Sequence, residues 1–225
     1  MEPMIYRAAV AIVPLVVAIV FHEVAHGWAA RALGDPTAHE QRRLSFNPLR
    51  HVDPMGTIIL PLGLALAGAP VFGWAKPVPV DARRLREPRT GMMLVALAGP
   101  AMNLALALVA AVVLGVLAGS GGPQGVVSGF VGAMLIEFIL VNVFLALFNM
   151  LPIPPFDGSH VLEGLLPRPL AERYASMRNL GFALVILLVV VLPMVAPNAN
   201  IVGRIVLPPA QWLAGCFFAV AHAFA

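Results

Sequence analysis

Charge is scarce in this chain. Of its 225 residues only 11% are Asp, Glu, Lys or Arg, and Lys76 is the sole lysine among 14 Lys and Arg. A soluble domain of this length could not cover its surface with so few charges. Cysteine is nearly absent as well: Cys216 stands alone, which excludes an intramolecular disulfide and any cysteine-rich metal cluster. The formal net charge of +3 comes from arginines in loops, where it marks topology rather than a nucleic-acid surface. What fills the space is apolar: 60% of the residues are hydrophobic and the mean hydropathy is +0.90. The expectation is an all-α polytopic membrane protein of about four to six transmembrane helices. One membrane-embedded domain, 1–225, takes up the length, with a core over about 5–165 and C-terminal helices over about 180–225.

Apolar stretches long enough for helices run near Ile5–Ala32, Met92–Ala118, Val126–Leu151 and Leu180–Ala196, against a requirement of ~20 residues per span. Thr57–Phe72 is shorter and broken by Pro61, Gly63, Gly68 and Pro70, so it reads as a re-entrant piece. Ile205–Phe224, with Pro208 and Pro209 near its start, either returns across the bilayer or lies in the interface. Arginines support this order. Arg31, Arg42, Arg43 and Arg50 occupy the loop 31–54, and Lys76, Arg83, Arg84, Arg86 and Arg89 the loop 73–90. The positive-inside rule places both in the cytoplasm, so the segment between them does not cross. The span after the uncharged Gly119–Gln124 turn then runs parallel to the first, and their C-terminal ends share one side. Small residues four apart, Ala101/Ala105 and Ala107/Ala111, favour close helix approach. Arg7 before an apolar run and Ala30-Arg31-Ala32 mimic a signal peptide, but cleavage there would discard the histidines discussed next.

His22-Glu23-Val24-Ala25-His26 lies inside the first apolar run. Residues four apart sit ~40° apart on one helical face, and Glu23 belongs to the same sector. In zinc peptidases such spacing supplies two imidazole ligands and a carboxylate base. A chance match is common in soluble helices. Within hydrocarbon, three ionisable side chains cost several kcal/mol and mark function.

A catalytic zinc needs a third ligand. The candidates outside the basic loops are Glu137, Asp157, Glu163 and Glu172. Glu137 is mid-span, but it points away from the face that carries Asn142 and Asn149, and pairing with another intramembrane polar group suits it better. Asp157 follows three prolines, in Asn149-Met150-Leu151-Pro152-Ile153-Pro154-Pro155-Phe156-Asp157-Gly158, where no regular helix can form and a carboxylate can turn back into the bundle. An N-cap for a helix Gly158–Leu166 is the competing role, and the parallel placement beside His22 and His26 favours a ligand.

The chain resembles the site-2 proteases, intramembrane zinc metalloproteases, in a compact form without accessory domains. The pieces that carry the resemblance are His22–His26, Ala98-Gly99-Pro100-Ala101-Met102-Asn103 and the ungapped Asn149–Gly158 signature, within about 5–165. The resemblance implies one zinc held by His22, His26 and Asp157, with Glu23 as general base. It implies that Asn149, together with Asn103, handles the substrate backbone or the developing oxyanion. It also implies a transmembrane protein or peptide as substrate. Size and 13 Arg against one Lys point to a bacterial inner or plasma membrane, and the basic loops put the site toward the cytoplasm. No nucleic-acid partner is expected. A helical substrate would have to unwind locally, and pairing with the extended segment near Gly73–Val80 would achieve that. The competing class is a membrane zinc transporter using the same His/Asp site, although the chain has few spans and no internal repeat. A non-catalytic adaptor is disfavoured because every presumed catalytic group is present. His39 and His51 read as solvated loop residues, His160 as helix surface or as support for the metal site, His222 and Trp212 as interfacial anchors, and Pro61 and Pro100 as helix kinks.

Overall fold

The structure, a computed structural model, describes residues 4–69, 71–120, 129–196 and 201–225. The expectations that fall on Pro70 and on residues 121–128 of the outer turn lie outside them. Among the described residues five helical stretches are long and apolar enough to cross a membrane, and no strand occurs.

Helix α1 (Met4–Ala32) carries Pro14 buried within it and Arg31 in its last turn, where a cation suits the negative end of the helix dipole. Gly34 ends it with φ +111°, while Gly34 N–H and Asp35 N–H donate to Arg31 O and Ala30 O. Both bonds satisfy carbonyls that the helix end leaves open. The fully buried Asp35 carboxylate then accepts from Thr37 N–H and Asp81 N–H, tying α1 and the short α2 (Thr37–Glu40) to the basic loop 73–90.

The Thr57–Phe72 region does turn back. Asp53 caps a π-helical stretch, Pro54–Ile59, by accepting from Gly56 N–H, and the chain continues into α3 (Leu60–Leu66). It returns as an extended arm on which Trp74 N–H donates to Gly56 O (3.1 Å) and Lys76 N–H to His51 O (2.8 Å). Both ends of the excursion therefore lie together. Gly56 and Gly73 make this possible, because a β-carbon at Gly56 would strike the Trp74 ring and one at Gly73 the Gly56 carbonyl. His51, expected to be solvated, is 3% exposed: its Nε2 donates to Ser45 O and its own carbonyl accepts from Lys76 of the return arm. His39 is exposed, as expected.

Helix α4 (Pro88–Gly119) is the hub, packed against α1, α5 (Phe130–Asn149), α6 (Asp157–Leu165) and α9 (Ile201–Ala223). Its buried stripe, Gly99, Asn103, Ala107, Ala110, Ala111 and Leu114, follows the three- and four-residue helical spacing. Ala107 and Ala111 meet Ile139 and Val143 of α5 and Ala210 and Ala221 of α9, the close small-residue packing that holds helices together where lipid offers no hydrophobic drive. Ala101 and Ala105, by contrast, face outward; of the two expected alanine pairs only Ala107/Ala111 lies at a crossing.

After α5 the chain breaks over Met150–Phe156, which includes a cis Pro154–Pro155 peptide, and re-enters helix at α6. There it folds so tightly that a β-carbon at Gly158 would collide with Met150 O. Helix α7 (Arg168–Ser176) follows, then α8 (Arg178–Ile186), which runs on through a π-helical Leu187–Val191 into Leu192–Val195.

Candidate metal centre

Helical spacing on α1 puts His22 and His26 on the face that meets α4, and the proline-rich turn after α5 delivers Asp157 to them. The two Nε2 atoms lie 3.0 Å apart, and Asp157 Oδ2 is 3.1 Å from His22 Nε2 and 3.4 Å from His26 Nε2. His22 and His26 are 7% and 9% exposed. Asp157 is not an N-cap: it occupies the first turn of α6, Phe156 takes the cap position, and Asp157 Oδ2 is buried without a hydrogen-bond partner.

Hydrogen bonds on the far side of each ring decide what the three atoms can hold. His26 Nδ1 is 2.7 Å from Val95 O, a carbonyl that can only accept, so Nδ1 carries a proton and the neutral ring presents its lone pair at Nε2. His22 Nδ1 is 2.6 Å from Asn103 Oδ1 and donates in the same way. With both rings neutral, two lone pairs and a carboxylate oxygen converge, a donor set that a cation at its centre satisfies. Nitrogen, nitrogen and oxygen donors at this spacing suit tetrahedral zinc, with ligand bonds of ~2.0–2.2 Å and the fourth position open.

Glu23 lies beside the cluster with Oε2 accepting from Val78 N–H at 2.8 Å, and it lines a cavity of about 600 Å³ together with Asn149, Trp74, His160 and Phe182. Asn149 donates one Nδ2 hydrogen to Leu145 O at 3.0 Å and keeps the other for the cavity. Asn103 is not on the cavity wall; it is fully buried behind His22. Glu137, half-buried on α5, is not part of the cluster. Burial pushes the His160 imidazole below its ordinary value, and the nearby Arg178 guanidinium lowers it further.

Three supporting residues were not legible as such. A β-carbon at Gly99 would lie 2.5 Å from His26 Nε2, so only glycine lets α4 pass this close. Pro100 has no N–H to bond the Ala96 carbonyl, which leaves that helical bond unmade one residue from the Val95 carbonyl that His26 uses. Asn142, also fully buried, bonds Asn103. Motif membership singled out Gly99 and Pro100 in sequence, but their contacts span some 70 residues.

A zinc-type donor set among membrane-length helices, with the Glu23 carboxylate beside it, fits an intramembrane zinc metalloprotease. The chain belongs to peptidase family M50, the site-2 proteases, whose profile matches residues 10–134 and 124–191. YwhC of Bacillus subtilis (strain 168) is 37% identical over 181 residues, 80% of this chain and 79% of that protein. Rip2 of Mycolicibacterium smegmatis is 31% identical over 170 residues, 75% of this chain and 62% of Rip2. MJ0611 of Methanocaldococcus jannaschii is 42% identical over 69 residues, 31% of this chain and 32% of that protein. All three bear names that describe zinc metalloproteases. No solved structure matches the chain.

Proposed function

We propose that this protease cuts transmembrane segments of membrane proteins near the cytoplasmic face, with zinc on His22, His26 and Asp157 and with Glu23 as general base. The observation that carries the reading is the convergence of two imidazole nitrogens and a carboxylate oxygen within 3.4 Å of one another. Zinc, when bound there, supplies a Lewis acid that polarises a carbonyl and acidifies water. Glu23 takes a proton from the attacking water and returns it to the leaving amine. The spare Nδ2 hydrogen of Asn149 supports the charge that develops on the carbonyl oxygen. The surrounding apolar walls limit bulk water and strengthen each of these interactions.

The extended arm suits a substrate strand. Trp74, Lys76 and Val78 direct their N–H groups into the protein, to Gly56 O, His51 O and Glu23 Oε2. Alternation along an extended chain leaves Gly73 and Ala75 for the opposite edge, which borders the cavity. Pro77 and Pro79 have no N–H to offer, so pairing centres on Gly73–Ala75. Substrates with helix-breaking residues near the scissile bond are cut faster on this account, and equal rates for matched stable and unstable helices would count against it.

The cytoplasmic placement rests on the nine Arg and Lys residues of the two loops that flank the re-entrant arm. A bacterial inner membrane is the setting we favour. The chain acts as one domain: Phe182 of the C-terminal half stacks edge-on against Trp74 at the cavity rim, 5.1 Å between ring centres.

The test is zinc per chain after mild chelator washing, together with hydrolysis of a transmembrane peptide in proteoliposomes. Wild type and Glu23→Gln retain one zinc, Asp157→Ala loses it, and only wild type cleaves. Zinc flux across the vesicles without hydrolysis would overturn the protease reading in favour of transport.

A further inference from the structure

We propose that Asn103, backed by Asn142, is a positioning residue that holds the His22 imidazole in the tautomer and orientation zinc binding needs. The inference rests on His22, His26 and Asp157 being the ligands. It reassigns Asn103 from the substrate-handling role expected from the motif.

Both asparagines are fully buried at membrane depth, where an unpaired amide is costly. Their hydrogen bonds form a chain with only one possible direction. Asn142 Nδ2 lies 2.8 Å from Phe138 O, which can only accept, so Asn142 Oδ1 must face the other way. Asn103 Nδ2 donates to that oxygen at 2.8 Å and to Ala18 O at 3.3 Å. Both amide hydrogens of Asn103 are therefore used within the protein and none reaches the cavity. Asn103 Oδ1 is left as an acceptor 2.6 Å from His22 Nδ1, which must be the protonated nitrogen. Two backbone carbonyls, on α1 and α5, thus set the proton on His22 through a pair of side-chain amides and free Nε2 for the metal. His26 needs no such device, because Val95 O performs the same task directly. Partners of this kind fix a ligand's ring and raise its basicity, and their loss weakens metal binding on the order of 10–100-fold.

The full chain in detergent tests this by zinc competition against a chelator and by the visible spectrum of the cobalt-substituted protein, which reports ligand geometry. Asn103→Leu is expected to bind zinc on the order of 10–100-fold more weakly and to shift the cobalt bands. Asn142→Leu, which leaves Asn103 Oδ1 in place at Nδ1, is expected to show a smaller loss. If Asn103→Leu does not give a monodisperse folded protein, Asn103→Ser, too short to reach Nδ1, replaces it under the same criteria. Wild-type affinity and an unchanged cobalt spectrum in the Leu or Ser variant would overturn the proposal. A purely structural Asn103 would lower the thermal midpoint and leave the cobalt bands in place, which also overturns it. Zinc retained by Asp157→Ala would overturn instead the ligand set on which the inference rests.

Discussion

Gly99 on α4 and His26 on α1 approach so closely that a β-carbon at residue 99 would lie 2.5 Å from His26 Nε2 and 2.6 Å from His22 Cε1. Real β-carbons do not tolerate such a contact, so any side chain there must displace the imidazoles or the helix. Gly99→Ala is expected to leave the bundle assembled and to cut hydrolysis on the order of 100-fold, the cost of a ligand shift of about 1 Å. Activity together with zinc content checks it; wild-type values for both would show that the helices yield without disturbing the histidines.

Glu23→Gln separates binding from chemistry. The amide oxygen can still accept from Val78 N–H, so the arm beside the site keeps its anchor. Zinc content is expected to stay at the wild-type level while turnover falls on the order of 10²–10⁴-fold, the range for removing a general base. Single-turnover cleavage at a matched zinc load measures this.

Removing the proposed third ligand does the reverse. Asp157→Ala leaves two imidazoles without the carboxylate that lies 3.1 Å and 3.4 Å from them, and zinc is expected to wash out under chelator conditions that wild type survives. Restoring excess zinc to chelated wild type should return its hydrolysis, and the variant should stay inactive.

Asp35 gives the fold an acid limit outside the membrane. Its burial pushes the carboxyl upward, but the Thr37 hydroxyl, the N–H groups of Thr37 and Asp81 and the Arg84 guanidinium outweigh this and hold it below its ordinary value. A depressed folded value means that the contribution to stability is present above the unfolded carboxylate value of ~4 and is lost as pH falls through the lower folded value. In zinc-free protein, thermal midpoints should therefore drop on acidification below about pH 4, and less steeply in Asp35→Asn. The same acid slope in both proteins would remove Asp35 as the cause.

Much of the site was readable from local spacing. His22, Glu23 and His26 lie within five residues, and a helix converts that spacing into a shared face by its own geometry. The Asn149–Gly158 run marks its turn through prolines, whose missing N–H groups forbid helix whatever surrounds them. Charge parity of two basic loops was enough to show that the segment between them turns back, since arginine position relative to the membrane depends on the loops alone. His51 shows the limit. It lies in a loop, yet it is buried, with its ring bonded to Ser45 O and its carbonyl to Lys76 on the returning arm, a meeting that spacing along the chain does not reveal.

Sequence by itself determined the helical membrane class, the order of its spans and the residue types of a zinc site, because hydropathy, proline and helical periodicity act over short stretches. Tertiary structure alone decided which of those residues meet. It set Asp157 against the histidines, with Phe156 rather than Asp157 at the cap position, and placed Asn103 behind His22 instead of in the cavity. It also made Gly99 indispensable at the crossing of α1 and α4. Each of these is a contact between residues roughly 70 to 135 apart in the chain, and such contacts exist only once packed helices exclude lipid between them.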